Sequence, residues 1–418
     1  MIEESSIDDV TDWLARNAVP LEGLEAGAPT ADLQPLKATL QGVRVVGLGE
    51  ATHGTREFFQ LKHRLLEFLV TEMGFSVLAM EASASAGQAV DAYVRHGTGN
   101  AAEVLTGLGF WTWRTQEVLA MLEWMRAYNH GRPEKDKVGF VGIDPQRCGD
   151  SIAALEAFLR ETAPERIEDL HATLGVLRTA APGSRPDPER HLVREAEDLL
   201  EFVRIEDPDA TEAIRHAGVV VKAADLVTRP RRHEDPEQTV FAARDRYMAD
   251  AVGELLGDPS AQVVLWAHNG HIAKGRYSGG VPAMGSHLRA RYGDAYYALG
   301  LLFGRGAFRA RRGWPGRWAR RGSRKPAANA VDAAPPATLE ARLAAAHSGD
   351  HLIDLRVTAD APEAVRAWAR DRHPARTFGS SVPRWTYRFG FGRTAPSEEY
   401  DGLAYVPVST CSRPLPSI

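Results

Sequence analysis

The chain alternates short apolar runs with longer stretches of helical periodicity. VRVVGLG (residues 43–49) is a β-branched run ending in glycines, the pattern of a buried strand that feeds a loop. From Arg56 to Met73, Phe58, Leu61, Leu65, Phe68 and Leu69 recur at helical spacing, with Thr55 placed to cap the start and Gly74 to stop the end. FSVLAME (75–81) returns to a strand pattern, and strand, helix, strand predicts a parallel sheet with a right-handed crossover. KVGFVGID (137–144) and AQVVLWAHNGHI (261–272) are further apolar runs that stop in polar residues, and both read as buried strands. Between them, residues 151–260 carry SIAALEAFLRE, VREAEDLLEFV and FAARDRYMADAVGELL, separated by turns. The expected fold is α/β, a central, mostly parallel sheet flanked by helices, with a large helical insertion that walls a pocket.

A change of composition follows Phe303. Arg305, Arg309, Arg311, Arg312, Arg317, Arg320, Arg321, Arg324 and Lys325 occur without an intervening acid, and the stretch PAANAVDAAPPA comes next. Residues 305–337 therefore read as an exposed Arg/Pro/Ala-rich loop. With only Trp314 and Trp318 as stacking rings, a solvated insertion fits better than a nucleic-acid surface.

At 418 residues the chain buries a core without disulfides or structural metal; 44% hydrophobic and 25% charged residues with a net charge of -5 argue against a general nucleic-acid binder. The start, MIEESSIDDVTDWLARNAVP, is acidic and has no signal-peptide pattern, and no run is long enough to span a bilayer. Only Cys148 and Cys411 are present, far apart, which points to a reducing cytoplasm and structural roles for both. The expected partner is a small molecule, with neither nucleic acid nor membrane involved, and the oligomeric state is not legible.

Ligands of open parallel sheets collect beyond the carboxyl ends of the strands. Glu50 and His53 follow the first predicted strand, Glu81 ends the second, Asp144 ends the third, and His268 and His271 follow the fourth. Lys62 falls inside the apolar stripe of the 56–73 helix, so its ammonium must reach water or a carboxylate such as Glu50 or Glu81. The turn GLGEATHGT lacks the lysine of a phosphate loop, Thr52 replaces the third glycine of a dinucleotide fingerprint, and no G-x-S-x-G elbow occurs in the chain. These exclusions leave His53 as a general base oriented by Glu50, with water as nucleophile and His268, Lys62 or a backbone amide facing the oxyanion. The same acids and imidazoles are competent metal ligands, although a central lysine would oppose a divalent cation.

The segments GLGEATHGTREFF, MGFSVLAME, VGFVGID, RDRYMADAV, WAHNGHIAK and MGSHLRARYGDAYYALGLLF, in this order over residues 40–304, resemble the erythromycin esterase family, with a looser echo in EYDGLAYVPVSTCSRPL. The resemblance implies one α/β domain over residues 1–418 with a deep cleft, and hydrolysis of a macrolide-like lactone or other natural-product ester without a cofactor. It places the catalytic histidine on His53, companion acids on Glu50 and Glu81, and the later histidine on His268 with His271 beside it. Lys62 stands where some of these esterases carry arginine, which keeps the cation and loses the bidentate fork. GFWTWRTQEV also fits a family segment, making Trp111, Trp113 and Arg114 candidate pocket residues, one tryptophan core and the other wall. In the resulting assignment Glu81 and Lys62 form a charge network around His53, His268 polarises the carbonyl or protonates the leaving alcohol, and Asp144 and His271 contact substrate. A non-hydrolytic cyclisation, elimination or isomerisation could use the same proton-transfer site; a metal-dependent hydrolase or a binding protein without turnover are further alternatives.

Overall fold

The computed structural model describes residues 2–277, 279–313, 325–356 and 360–416. Its strands are β1 (Val19–Pro20), β2 (Val45–Leu48), β3 (Val77–Ser83), β4 (Gly139–Asp144), β5 (Val263–Trp266), β6 (Tyr296–Gly313), β7 (Ala327–Val331), β8 (His351–Asp354), β9 (His373–Arg376), β10 (Ser381–Pro383), β11 (Phe391–Thr394) and β12 (Gly402–Ser409). One sheet runs β1-β8-β12-β6-β2-β5-β3-β4, with β7 and β10 added to β6, while β9 and β11 pair separately. From β12 to β4 all neighbours are parallel; β8 and β1 are antiparallel. Every residue of β2 and of β5 is buried, which is why both read as unbroken apolar runs: helices cover both faces of a parallel sheet.

The crossover helix spans Arg56–Met73 and buries Phe58, Leu61, Leu65, Phe68 and Leu69, the stripe legible in the sequence. Gly74 ends it in the left-handed region, φ 79°, as expected of a glycine stop. Thr55 holds the cap position but makes no side-chain cap hydrogen bond. The C-terminal segment takes that task, with Thr410 O accepting from Arg56 N.

Between β4 and β5 the chain is helical, with Gly149–Thr162, His191–Glu206, Thr211–Thr228 and Val240–Leu255 as the longest elements. The first three share an apolar cluster of their own, including Ile152, Leu155, Leu199, Val203 and Val220. The fourth returns Met248, Ala249 and Val252 to the core of the sheet. None of the described helices is long and apolar enough to cross a membrane.

One expectation fails here. Residues 305–313 are not an exposed loop: they extend β6, with β7 paired antiparallel from Gly306 to Ala310 and β10 parallel at Arg311–Gly313. Phe308 and Ala310 are fully buried and alternate with Arg309 and Arg311, so the segment has the alternation of a half-buried strand, and arginine density hid the period. Residues 327–331 are likewise β7. Trp314, Arg317, Trp318, Arg320, Arg321 and Arg324 lie outside the described residues.

Candidate active site

The turn after β2 is clamped from several sides. Phe378 N donates to Ala51 O (2.8 Å), Arg309 N to Gly54 O (3.0 Å) and Ser412 N to the same Gly54 oxygen (2.9 Å). This close backbone approach explains the glycines that suggest a phosphate loop in the sequence. A Cβ on Gly49 would lie 2.1 Å from Asn269 Oδ1, and one on Gly54 would lie 2.0 Å from Arg309 O.

Glu50 is fully buried at the centre of this turn. Its Oε1 meets His53 Nδ1 at 2.8 Å, while Oε2 accepts from Lys62 Nζ at 2.7 Å and from Trp266 Nε1 at 3.1 Å. Burial alone would raise the Glu50 carboxyl, but the Lys62 ammonium and His53 outweigh it and hold it below its ordinary value. Lys62, also fully buried, lies 4.5 Å over the Trp266 ring. Burial brings it down to about 8, with Glu50 opposing the fall. An ionised Glu50 takes the Nδ1 proton of His53 as a hydrogen bond, which leaves Nε2 as the acceptor for the cavity that His53 lines.

A second charge network stands beside the first. Glu81 Oε1 pairs with Arg244 Nη2 (2.7 Å) and lies 3.3 Å from His271 Nε2, and Oε2 accepts from His268 N (2.9 Å). Arg244 also reaches Asp144 Oδ2 (2.8 Å), and His271 Nδ1 reaches Asp245 Oδ1 (2.9 Å). The direct partner of Glu81 is thus Arg244, not Lys62, which corrects the network read from the sequence. Burial opposes ionisation throughout, yet His271 and Arg244 keep Glu81 well below the ordinary carboxylate range. Asp245 and Glu81 more than offset burial at His271 and raise it to about 10. Arg244 Nη1 also lies 3.0 Å from His271 Nε2, so the guanidinium, the imidazole and the Glu81 carboxylate form one connected cluster.

His268 differs from its neighbours in charge. Burial and then the nearby His53 push it down to about 3, so it is neutral. Its Nδ1 accepts from Gly270 N (3.1 Å), which leaves the proton on Nε2, 3.3 Å from Phe378 O. The rings of His53 and His268 are 5.0 Å apart.

His53, Glu81, Asp144, Trp113, His268 and His271 line a cavity of about 340 Å³. An adjoining lobe of about 400 Å³ shares Arg244, His268 and His271 and adds Phe241, Tyr277 and Val281. Trp113 is both core and wall: it is buried and donates Nε1–H to Glu81 O (3.1 Å). Trp111 lies outside the lining, under the Arg309 guanidinium at 5.3 Å. Arg114 is not a pocket residue either; its Nη2 binds Pro416 O near the end of the chain.

Arg244 and Asp245 are missing from the sequence-based site, although both lie in RDRYMADAV. Asp245 shares its buried face with Met248, Ala249 and Val252, so it interrupts an apolar stripe just as Lys62 does. As a metal centre the arrangement fits poorly. Both oxygens of Glu50 and of Glu81 already accept from protein donors, and no group of three or more His, Cys, Asp or Glu among the described residues is disposed to hold a metal ion.

Residues 70–409 match the family profile described as erythromycin esterase, and the chain belongs to that family. It is 26% identical to erythromycin esterase type II of Escherichia coli over 329 residues, 69% of this chain and 76% of the relative. It is 25% identical to the putative hydrolase YbfO of Bacillus subtilis (strain 168) over 331 residues, 71% and 72% of the two chains. The fold is similar to that of a succinoglycan biosynthesis protein, with a TM-score of 0.80 at 23% identity, covering 99% of this chain and 98% of the other. It is also similar to a mutant of the erythromycin esterase EreC in its open conformation, with a TM-score of 0.69 at 19% identity over 94% and 98%.

Proposed function

We propose that the protein hydrolyses an ester or lactone of a bulky natural product, with His53 as general base toward water. The observation that carries this reading is the His53–Glu50–Lys62 series, in which a buried, counter-charged carboxylate fixes the imidazole tautomer beside a cavity. Water attacks the acyl carbon as His53 Nε2 takes its proton; the tetrahedral intermediate collapses, and the departing alkoxide recovers that proton from His53. The acid and the alcohol are the products. Neutral His268 turns its Nε2–H from Phe378 O, 3.3 Å away, to the oxyanion, and the Glu81–Arg244 pair holds the His268 backbone through the 2.9 Å bond to its amide.

The relatives' names favour a macrolide-like lactone, and the adjoining lobes suit a large, partly apolar ligand. We place the protein in the cytoplasm, where its free Cys148 and Cys411 would stay reduced. Incubation with a panel of macrolides, other lactones and simple esters, read by mass spectrometry, tests the reaction type. Gain of one water is the expected result. Loss of water would replace hydrolysis by elimination, and unchanged mass with altered retention by isomerisation.

Lys62 adds a pH prediction. As pH rises through about 8 its ammonium is lost, withdrawing the charge that keeps the buried Glu50 ionised and aimed at His53. A kcat/KM profile should therefore fall on its alkaline side near pH 8. Lys62→Arg should carry that limb upward by at least about one pH unit, because arginine stays charged. An alkaline limb that does not move in a folded Lys62→Arg enzyme would assign it to another group.

A further inference from the structure

The arginine-rich extension of β6 plays no part in the chemistry above, yet it lies against the cleft. Arg309 N bonds the catalytic turn at Gly54 O, and two residues later Arg311 N donates to Ser380 O at 3.0 Å. Ser380 lines the same cavity as His53. Side chains alternate along a strand. Arg312 takes one face, where its Nε reaches Asn329 Oδ1 at 2.8 Å. Arg309 takes the other, over Trp111, and Arg311 shares that face by register.

Arg147 approaches the same cavity from the turn after β4. The Arg147 guanidinium stacks over Phe110 at 4.9 Å, and Phe110 is a wall of the catalytic cavity. Both arginines are exposed, and among the described residues neither guanidinium forms an ion pair or a hydrogen bond. Burial and then Arg147 hold Arg311 below its usual range, with no carboxylate offsetting them. The cations deeper in the cleft are different: Arg244 and His271 are matched to Glu81, Asp144 and Asp245. The rim thus carries two guanidinium groups, one on Phe110 and one beside Ser380, with no carboxylate partner among the described residues, an arrangement that an oxyanion would relieve through charge-assisted hydrogen bonds.

We propose that Arg147 and Arg311 form an oxyanion clamp at the mouth of the cleft, so that the substrate is an ester or lactone bearing a carboxylate, sulfate or phosphate group remote from the bond that reacts. This rests on the hydrolase reading above and adds the charge of the substrate to it. Arg311 stands two strand residues beyond the one bonded to Gly54, roughly 7 Å farther along. With the reach of its side chain, the anion lies on the order of 10 Å from the reacting carbon.

The test uses p-nitrophenyl monoesters of dicarboxylic acids from four to ten carbons against p-nitrophenyl alkanoates of equal length, with ω-phosphono analogues to separate carboxylate from phosphate recognition. At low salt the wild-type enzyme should favour the longer anionic esters over their neutral counterparts by about tenfold in kcat/KM, carried by KM. The preference should shrink in 0.5 M NaCl by screening, a condition at roughly a few ångströms of Debye length. In Arg147→Ala/Arg311→Ala the anionic-to-neutral ratio should fall to about one, in Arg147→Lys/Arg311→Lys it should be partly kept, and in Arg166→Ala, on the distant helical insertion, it should be unchanged. A wild-type enzyme without the preference, or a double alanine variant that retains it, overturns the clamp. Calorimetric binding of monomethyl suberate against methyl octanoate gives the same comparison without turnover. Selective binding of the anion that is lost in the double alanine variant upholds the clamp even if no ester is hydrolysed, a result that would refute the hydrolase reading alone; absence of selective binding overturns the clamp whatever the enzyme hydrolyses.

Discussion

Replacing His53 with alanine should lower kcat/KM for ester or lactone hydrolysis by about a hundred- to ten-thousand-fold, the range supplied by a positioned general base. The melting temperature should stay within a few degrees of wild type. His53 lies in the cavity wall, and Glu50 keeps its Lys62 and Trp266 donors when the imidazole is gone, so no buried charge is stranded. The loss should appear in kcat rather than KM, since a proton taken in the transition state contributes little to ground-state binding. Activity within tenfold of wild type in a folded His53→Ala enzyme would move the base elsewhere. Among the histidines of the cleft the alternatives are poor: His271 is raised to about 10 and carries its proton, while His268 is lowered to about 3 and uses its Nδ1 lone pair on Gly270 N.

The strands were legible because a parallel sheet covered on both faces imposes unbroken apolar runs, and the polar residues ending those runs fall at the carboxyl edge by topology. Lys62 was legible as a cation in an apolar stripe, and its choice between Glu50 and Glu81 was settled by geometry that no spacing encodes. Glu81 illustrates the limit. It sits inside β3, where pairing with β4 shifts register between Met80 and Ser83, and such an irregularity re-aims a side chain without a signature in sequence. Its partner Arg244 comes from a helix 163 residues away in the chain. Trp111 and Trp113 are two residues apart and equally apolar, yet only Trp113 reaches the cavity, because the surrounding turn decides their directions. The extension of β6 was misread for a related reason: half of each period-2 pair faces solvent, and an arginine there masks the buried Phe308 and Ala310.

Arg244 should prove the costliest single residue of the cleft to remove. Its guanidinium joins Glu81 to Asp144, with both carboxylates nearly inaccessible, so Arg244→Met leaves Glu81 to His271 and leaves Asp144 to the neutral donors of Gln146. Breaking a buried ion pair from one side costs about 3–5 kcal/mol, far more than the pair contributes relative to an apolar replacement of both partners. The shift should therefore be partly reversed by Glu81→Gln in the same chain, and that non-additivity, measured in a denaturant-melting cycle, is the diagnostic outcome. The direction with pH follows from Glu81. Its folded carboxyl lies well below the ordinary value of 4.5, so the stability it contributes is present above that value and is lost as pH falls through the depressed one. Removing Arg244 weakens the depression. The gap between wild type and Arg244→Met should be widest near neutrality and should narrow as pH drops below about 4.5. A gap that is independent of pH, or a Glu81→Gln change that adds its full cost to Arg244→Met, would mean that Arg244 stabilises the cleft by packing its stem and not by holding these carboxylates in their charged form.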